Sequence, residues 1–103
     1  MTYELITSIL DELGLPYAYY QFKKPPEGNK YIAYFESDKI RLMADNVVYY
    51  FEPHFAIELY TKDKDIATEN RLIELLKVNE VPWSGGESNY IDSEKVYQTV
   101  FYV

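Results

Sequence analysis

The sequence predicts an α+β domain, a mainly antiparallel sheet of about four to five strands with two helices packed on one face, in the order α-β-β-β-β-α-β-β. Three observations carry that expectation. Apolar residues recur at helical spacing in two stretches only, one at the start and one over residues 63–78. The segments between and after them are short runs of Tyr, Phe, Val and Ile punctuated by Pro, Gly, Asn and Asp. No strand–helix–strand unit repeats, as a parallel doubly wound sheet would require. Residues 1–103 form one domain of common size, long enough to bury a core without disulfides or metal.

Each element has a local reason. Thr2 is a good N-cap, and Leu5, Ile6, Ile9, Leu10 and Leu13 follow on one helical face, so a helix is expected over residues 2–13. Gly14 offers the left-handed position after it and Pro16 the stop. In the second helix, over residues 63–78, Asp63 and Asp65 favour the N-terminus. Ile66, Ala67, Leu72, Ile73, Leu75 and Leu76 supply its apolar positions, and Asn79 suits its end. Both helices exit through an apolar-Pro-aromatic step, Leu15-Pro16-Tyr17 and Val81-Pro82-Trp83. Strands are expected at residues 17–22, 31–36, 47–51, 55–61, 90–91 and 96–103. The third and fourth are expected to pair as an antiparallel hairpin through Glu52-Pro53-His54. Residues 23–29 read as a proline-stiffened loop, Ala44-Asp45-Asn46 as a turn after a polar stretch, and residues 84–88 as a flexible loop.

Seventeen acidic against ten basic residues give a net charge of -7. Such a surface repels phosphate backbones and anionic lipid, which disfavours sequence-specific nucleic-acid binding and membrane binding. No apolar run approaches the ~20 residues needed to cross a bilayer. The start lacks the basic, continuously apolar character of a signal peptide. There is no cysteine, which removes disulfides and thiolate chemistry together and is compatible with a reducing compartment.

Tyrosine is the outlier. Twelve of the 103 residues are Tyr, all but Tyr3 outside the helical segments. Side chains alternate across a strand, so a sheet covered on one side should alternate apolar with polar. Only residues 54–60 do so well, with Phe55, Ile57 and Leu59 opposing His54, Glu58 and Tyr60. Elsewhere both faces carry large side chains: Tyr17 and Tyr19 oppose Ala18, Tyr20 and Phe22, and Val47, Tyr49 and Phe51 oppose Val48 and Tyr50. Two helices, each ~10 Å wide, cover one face of such a sheet and leave the other aromatic. An aromatic face of that kind marks a protein contact site. Tyr20, Tyr49, Tyr50, Tyr60 and Tyr97 are the candidate contact residues. The plainer alternative is that Tyr has high β-propensity and tolerates half-exposure.

Chemistry finds little purchase. His54 is the single histidine, beside Pro53, without the partners of a triad or a metal site, and reads as a surface residue. Asp45-Asn46 lacks the spacing of a calcium loop, and Ser84-Gly85-Gly86 lacks the Lys-Ser/Thr of a phosphate-binding loop. Lys23-Lys24 is too short for a nucleic-acid patch. Carboxylates such as Glu52, Glu58, Asp63 and Asp65 have ordinary roles as strand-face, turn or capping residues. No catalytic, cofactor-binding or metal-ligating residue is indicated, and the chain is expected not to be an enzyme.

The sequence resembles the small tail-completion, or head-to-tail joining, proteins of long-tailed phages and prophages of Gram-positive bacteria. The resemblance runs over nearly the whole chain. It rests on the opening helix ending Leu13-Gly14-Leu15-Pro16, on Tyr31-Ile32-Ala33-Tyr34, and on Ala44-Asp45-Asn46-Val47-Val48-Tyr49-Tyr50. Ile57-Glu58-Leu59-Tyr60-Thr61 running into the second helix, and Ser93-Glu94-Lys95-Val96-Tyr97-Gln98, complete it. The resemblance implies a tail-terminator-like fold and a structural role without cofactor. The implied subunit forms an oligomeric, commonly hexameric, ring with copies of itself, contacting tail-tube and head connector proteins. It would belong to the virion's head-to-tail junction, and to the host cytoplasm during assembly. The family carries no active site to transfer. The alternative reading is an acidic regulatory or inhibitory protein-binding module of phage origin.

Overall fold

The computed structural model describes the backbone of residues 1–24, 26, 28–37, 40–44 and 47–103, and the side chains of these outside residues 40–52. Helix α1 spans Tyr3–Leu13, with the Thr2 hydroxyl accepting from the Leu5 N–H at 3.1 Å. Gly14 closes it at φ 83°, its N–H donating to the Leu10 carbonyl. Strand β1 is Tyr17–Tyr19, β2 Lys30–Glu36, β3 Ile40–Ala44, β4 Val47–Glu52 and β5 Phe55–Thr61. Helix α2, Ile66–Val78, is followed by β6, Ser84–Ile91, and β7, Val96–Tyr102.

Five strands form one mixed sheet in the order β1-β2-β5-β7-β6. Only the β1–β2 pair is parallel. The fold class is α+β as expected, with one strand more than the expected order. Central β5 pairs β2 on one side and β7 on the other, and five of its seven residues are buried. Ile32 and Tyr34 of β2, Phe55, Ile57 and Leu59 of β5, and Phe101 of β7 point to one face. There they pack against Ile6, Ile9, Leu10 and Leu13 of α1 and Leu72, Leu75 and Leu76 of α2. Leu15 and Val81, the apolar members of the two helix exits, join the edge of this core.

Several local expectations are corrected. Residues 47–52 do not pair with Phe55–Thr61. Strand β4 pairs antiparallel with β3, in a ladder separate from the main sheet. A tight hairpin turn needs residues with φ above zero, and Glu52-Pro53-His54 supplies a proline locked near −65° instead. The chain therefore runs straight on, and β3–β4 extends the β2–β5 ladder outward as an arm. Glu36 opposes Phe55, the Ser37 N–H donates to the His54 carbonyl at 2.7 Å, and Ile40 opposes Glu52. The stretch read as polar is thus strand β3, and the turn read at Asp45-Asn46 lies outside the described residues, as do Pro25 and Glu27 of the loop at 23–29. The molecule measures 49 Å along its longest axis against 30 and 24 Å across.

Residues 84–88, read as a flexible loop, belong to edge strand β6. Gly85 and Gly86 adopt φ 89° and 87° at an irregularity in the β6–β7 register. A Cβ on Gly85 would lie 2.5 Å from the Val100 carbonyl oxygen, so glycine here permits close approach of two backbones. The edge is tied down by polar contacts. Lys64 donates to Ser88 at 2.6 Å and pairs with Glu69 at 2.7 Å, and the Ser88 and Thr99 hydroxyls lie 2.5 Å apart. The first strand ends at Tyr19 rather than at residue 22, because Tyr20 turns to φ 69°.

The second helix begins at Ile66, three residues later than the spacing suggests. Asp65 caps it, accepting from the Thr68 N–H at 3.1 Å and the Thr68 hydroxyl at 2.8 Å, while Lys30 reaches its carboxylate at 2.6 Å. Ile66 is exposed, and at the far end Glu80, not Asn79, takes the left-handed conformation.

Two outcomes test this account. Alanine at Gly14 meets only the left-handed strain, about 1 kcal/mol. Alanine at Gly85 adds a backbone collision and should cost about 3 kcal/mol in denaturant unfolding. The second concerns acid. The Lys30 ammonium, then the Thr68 N–H and hydroxyl, lower Asp65 from an ordinary 3.8 to about 2. A depressed carboxylate contributes stability that is present above its unfolded pKa and lost as pH falls through the folded one. The stability gap between the natural chain and Asp65→Asn should be full at about pH 5 and closed near about pH 2, read from unfolding midpoints.

Candidate functional site

Two features of the fold present surface that its own elements leave uncovered. The first is the sheet face opposite the helices. Tyr31, Ala33 and Phe35 of β2, Ala56, Glu58 and Tyr60 of β5, and Gln98, Val100 and Tyr102 of β7 point there, by the same alternation that sends their neighbours into the core. No helix lies over it. Ala33 and Ala56 are nevertheless buried, between larger cross-strand neighbours: Ala56 is paired with Phe35 on one side and Tyr102 on the other.

Aromatic rings organise the face. Tyr31 and Tyr60, directly opposed across β2 and β5, stack with centroids 5.0 Å apart and planes 14° from parallel. Phe22 stands edge-on to Tyr31 at 5.6 Å, and Tyr20 lies 5.7 Å from Phe35. Tyr20 holds a left-handed backbone, which costs a non-glycine residue roughly 1 kcal/mol or more, while its side chain is 67% exposed. Its 2.7 Å hydrogen bond from N–H to the Tyr34 carbonyl holds that turn against the sheet.

In the middle sits a polar cluster. The Tyr60 hydroxyl donates to Glu58 Oε1 at 3.1 Å. Gln98 Nε2 donates to Glu58 Oε2 at 3.3 Å and to the Tyr60 oxygen at 2.9 Å. Burial, offset partly by the Gln98 donor and reinforced by the Glu58 charge, pushes the Tyr60 phenol up to about 12. Tyr60 therefore stays protonated and keeps donating. Glu58 is half-buried, its partners are neutral, and no Lys or Arg pairs with it among the described residues.

The second feature is a cleft of about 470 Å³ at the sheet end from which the arm departs. Leu5, Val81, Pro82, Trp83 and Tyr102 supply its apolar walls and His54 one polar group. His54 is half-buried here, not a surface residue as its isolation in the sequence suggests. Its Nδ1 lies 3.1 Å from the Val103 carbonyl oxygen, which can only accept, so Nδ1 carries the proton. Nε2 is buried and has no hydrogen-bond partner among the described residues. The arrangement can take an apolar group that brings one polar atom to Nε2.

The five sequence candidates scatter. Tyr20 and Tyr60 share the uncovered face. Tyr97 lies on the helix side of β7, 5.0 Å from Tyr90, and is not part of that face. Tyr49 and Tyr50 fall on β4 of the arm, and their side chains lie outside the described ones. Sequence reasoning missed Tyr31, Phe35, Glu58 and Gln98 as a group. The clue was present in the period-2 pattern of β2 and β5, but it needed the pairing of β5 with β7 to become a cluster.

If the Tyr20 ring is held out for a partner and not for the fold, Tyr20→Asn should raise stability by about 0.5 kcal/mol, since Asn tolerates the left-handed region. A loss above about 1 kcal/mol in thermal unfolding would instead make the Tyr20–Phe35 contact structural. No known protein family and no curated protein matches the sequence.

Proposed function

We propose that this chain is a non-catalytic structural subunit of a phage virion. It completes the head-to-tail junction or tail end as a member of an oligomeric, commonly hexameric, ring that contacts tail-tube and head connector proteins. The observation that carries the reading is the uncovered aromatic face, with Tyr20, Tyr31, Phe35 and Tyr60 on a sheet whose helices are spent on the other side. A ring buries one patch of each subunit on a different patch of its neighbour, and a closing rotation leaves no patch exposed. The arm offers that different patch. The excess of acidic residues suits a channel through which DNA passes without adhering. The resemblance of the opening helix and of the strand segments to tail-completion proteins supplies the phage setting. In that setting the subunit resides in the virion, and in the host cytoplasm before assembly.

The test mixes the purified chain with tail-tube and connector proteins and follows mass by light scattering and shape by electron microscopy. Ring-shaped assemblies containing both the chain and either partner are expected. A chain that ignores both, while capturing a host protein through its acidic surface, would replace this reading with the regulatory-module alternative.

A further inference from the structure

We infer that the cleft at His54 is the socket for Tyr20 of a second copy of this chain, whose phenol supplies the partner that His54 Nε2 lacks. The inference rests on the ring-subunit reading and names one contact between neighbouring subunits.

The socket is defined by its shape and by one unpaired atom. Its volume of about 470 Å³ is within the range of small-ligand sites. The walls are largely apolar and aromatic, and Glu80 is the only charged side chain among them. Trp83 stands edge-on to Phe101 at 5.7 Å yet stays 37% exposed, so part of the indole is uncovered. His54 Nδ1 is held by the Val103 carbonyl oxygen at 3.1 Å, and Nε2 is buried with no partner among the described residues. A buried polar atom in that state is destabilising until a group bonds it. A phenol fits: its ring matches the walls, and its hydroxyl both donates and accepts, so it serves Nε2 with or without a proton.

The plug is found by elimination. Among the described residues, the exposed large apolar side chains outside the cleft are Tyr3, Tyr19, Tyr20, Ile66, Val78 and Tyr90. Ile66 and Val78 bring no polar atom. The Tyr3 and Tyr19 hydroxyls are already bonded, to Glu36 and to each other. Tyr90 leans on Tyr97 and belongs to β6, the strand that starts at the cleft itself. Tyr20 is the most exposed of the four tyrosines, at 67%, and a left-handed backbone at φ 69° sets its direction. Its hydroxyl has no hydrogen-bond partner among the described residues. The register places plug and socket at opposite edges of the sheet. Phe35, on which Tyr20 rests, opposes Ala56, Ala56 opposes Tyr102, and Tyr102 opposes Ser84. Tyr20 follows edge strand β1 at one end of this row, and Trp83 precedes edge strand β6 at the other. A neighbour placed alongside in the same sense brings its Tyr20 to this cleft, and repeating that step is the heterologous contact of a ring.

The test uses the whole chain, in which Trp83, the only tryptophan, reports on the socket. Native mass spectrometry and sedimentation from micromolar to submillimolar concentration should show self-association, with Trp83 becoming shielded from acrylamide quenching as it proceeds. Tyr20→Asn, which tolerates the left-handed backbone, should weaken association about tenfold or more. Tyr20→Phe, which lacks only the hydroxyl, should weaken it about threefold or more. Free p-cresol, the tyrosine side chain as a separate molecule, should shift Trp83 emission in Tyr20→Asn, whose socket is intact, and should dissociate the natural oligomer. Circular dichroism checks that each variant is folded. A natural chain that stays monomeric throughout overturns the proposal, even if p-cresol shifts Trp83; mixing with tail-tube and connector proteins then decides the ring separately. Trp83 emission indifferent to p-cresol overturns the socket. Oligomers indifferent to both Tyr20 variants overturn the contact and leave the ring standing. A closed pair that depends on Tyr20 upholds the contact and sinks the ring.

Discussion

The structure depends on a shortage of cover. Five strands present two faces, and two helices of 11 and 13 residues suffice for one. The helix side takes most of the large aliphatic side chains: Ile6, Ile9, Leu10 and Leu13 of α1, Leu72, Leu75 and Leu76 of α2, and Ile57 and Leu59 with Phe55 and Phe101 from the strands. The remaining face has to be built from side chains that tolerate both water and a partner. Tyrosine meets that requirement, because its ring buries area while its hydroxyl finds an acceptor. The Tyr60–Glu58–Gln98 cluster is the outcome: a face that is aromatic yet internally hydrogen-bonded.

The same shortage shapes the helix side at its margin. Tyr3 bridges α1 and the sheet, donating to Glu36 at 2.7 Å while its ring stands edge-on to Phe55 at 4.8 Å. Tyr17 donates to Asp11 at 2.5 Å, and that carboxylate raises its phenol to about 12. These tyrosines lock α1 to the weakest part of the sheet, the parallel strand β1, which is three residues long. Tyrosine thus has two roles in this chain, separated by face: clamps at the helix margin and contact surface on the other side.

Local chemistry in the sequence was a good guide where one residue decides the outcome. Thr2, Gly14 and Asp65 are caps wherever the chain goes, and the alternation around Ile57 fixes the inward face of β5. It misled where the outcome depends on which strand meets which. Glu52-Pro53-His54 resembles a turn because proline favours turns, yet the pairing partner of β4 lies upstream in β3, which Asp38 and Lys39 made look polar. Gly85-Gly86 resembles a flexible loop because two glycines have no preferred shape. Their use, a close backbone approach to Val100, exists only once β7 lies alongside. For the same reason single tyrosines such as Tyr20 and Tyr60 were legible as candidates, whereas the cluster around Glu58, whose members come from β5 and β7, was not.

The position of β7 has a consequence for biogenesis. The strand at residues 96–102 inserts between β5 and β6, so β5 gains its second partner only from a strand that is made after both of its eventual neighbours. While the ribosome is still translating, β5 can pair with β2 but has an open second edge, and Phe55, Ile57 and Leu59 wait without their neighbour Phe101. An unpaired edge of that apolar character is the most adhesive state the polypeptide passes through. Insertion of β7 is therefore the step that closes this edge and brings Phe101 to its neighbours.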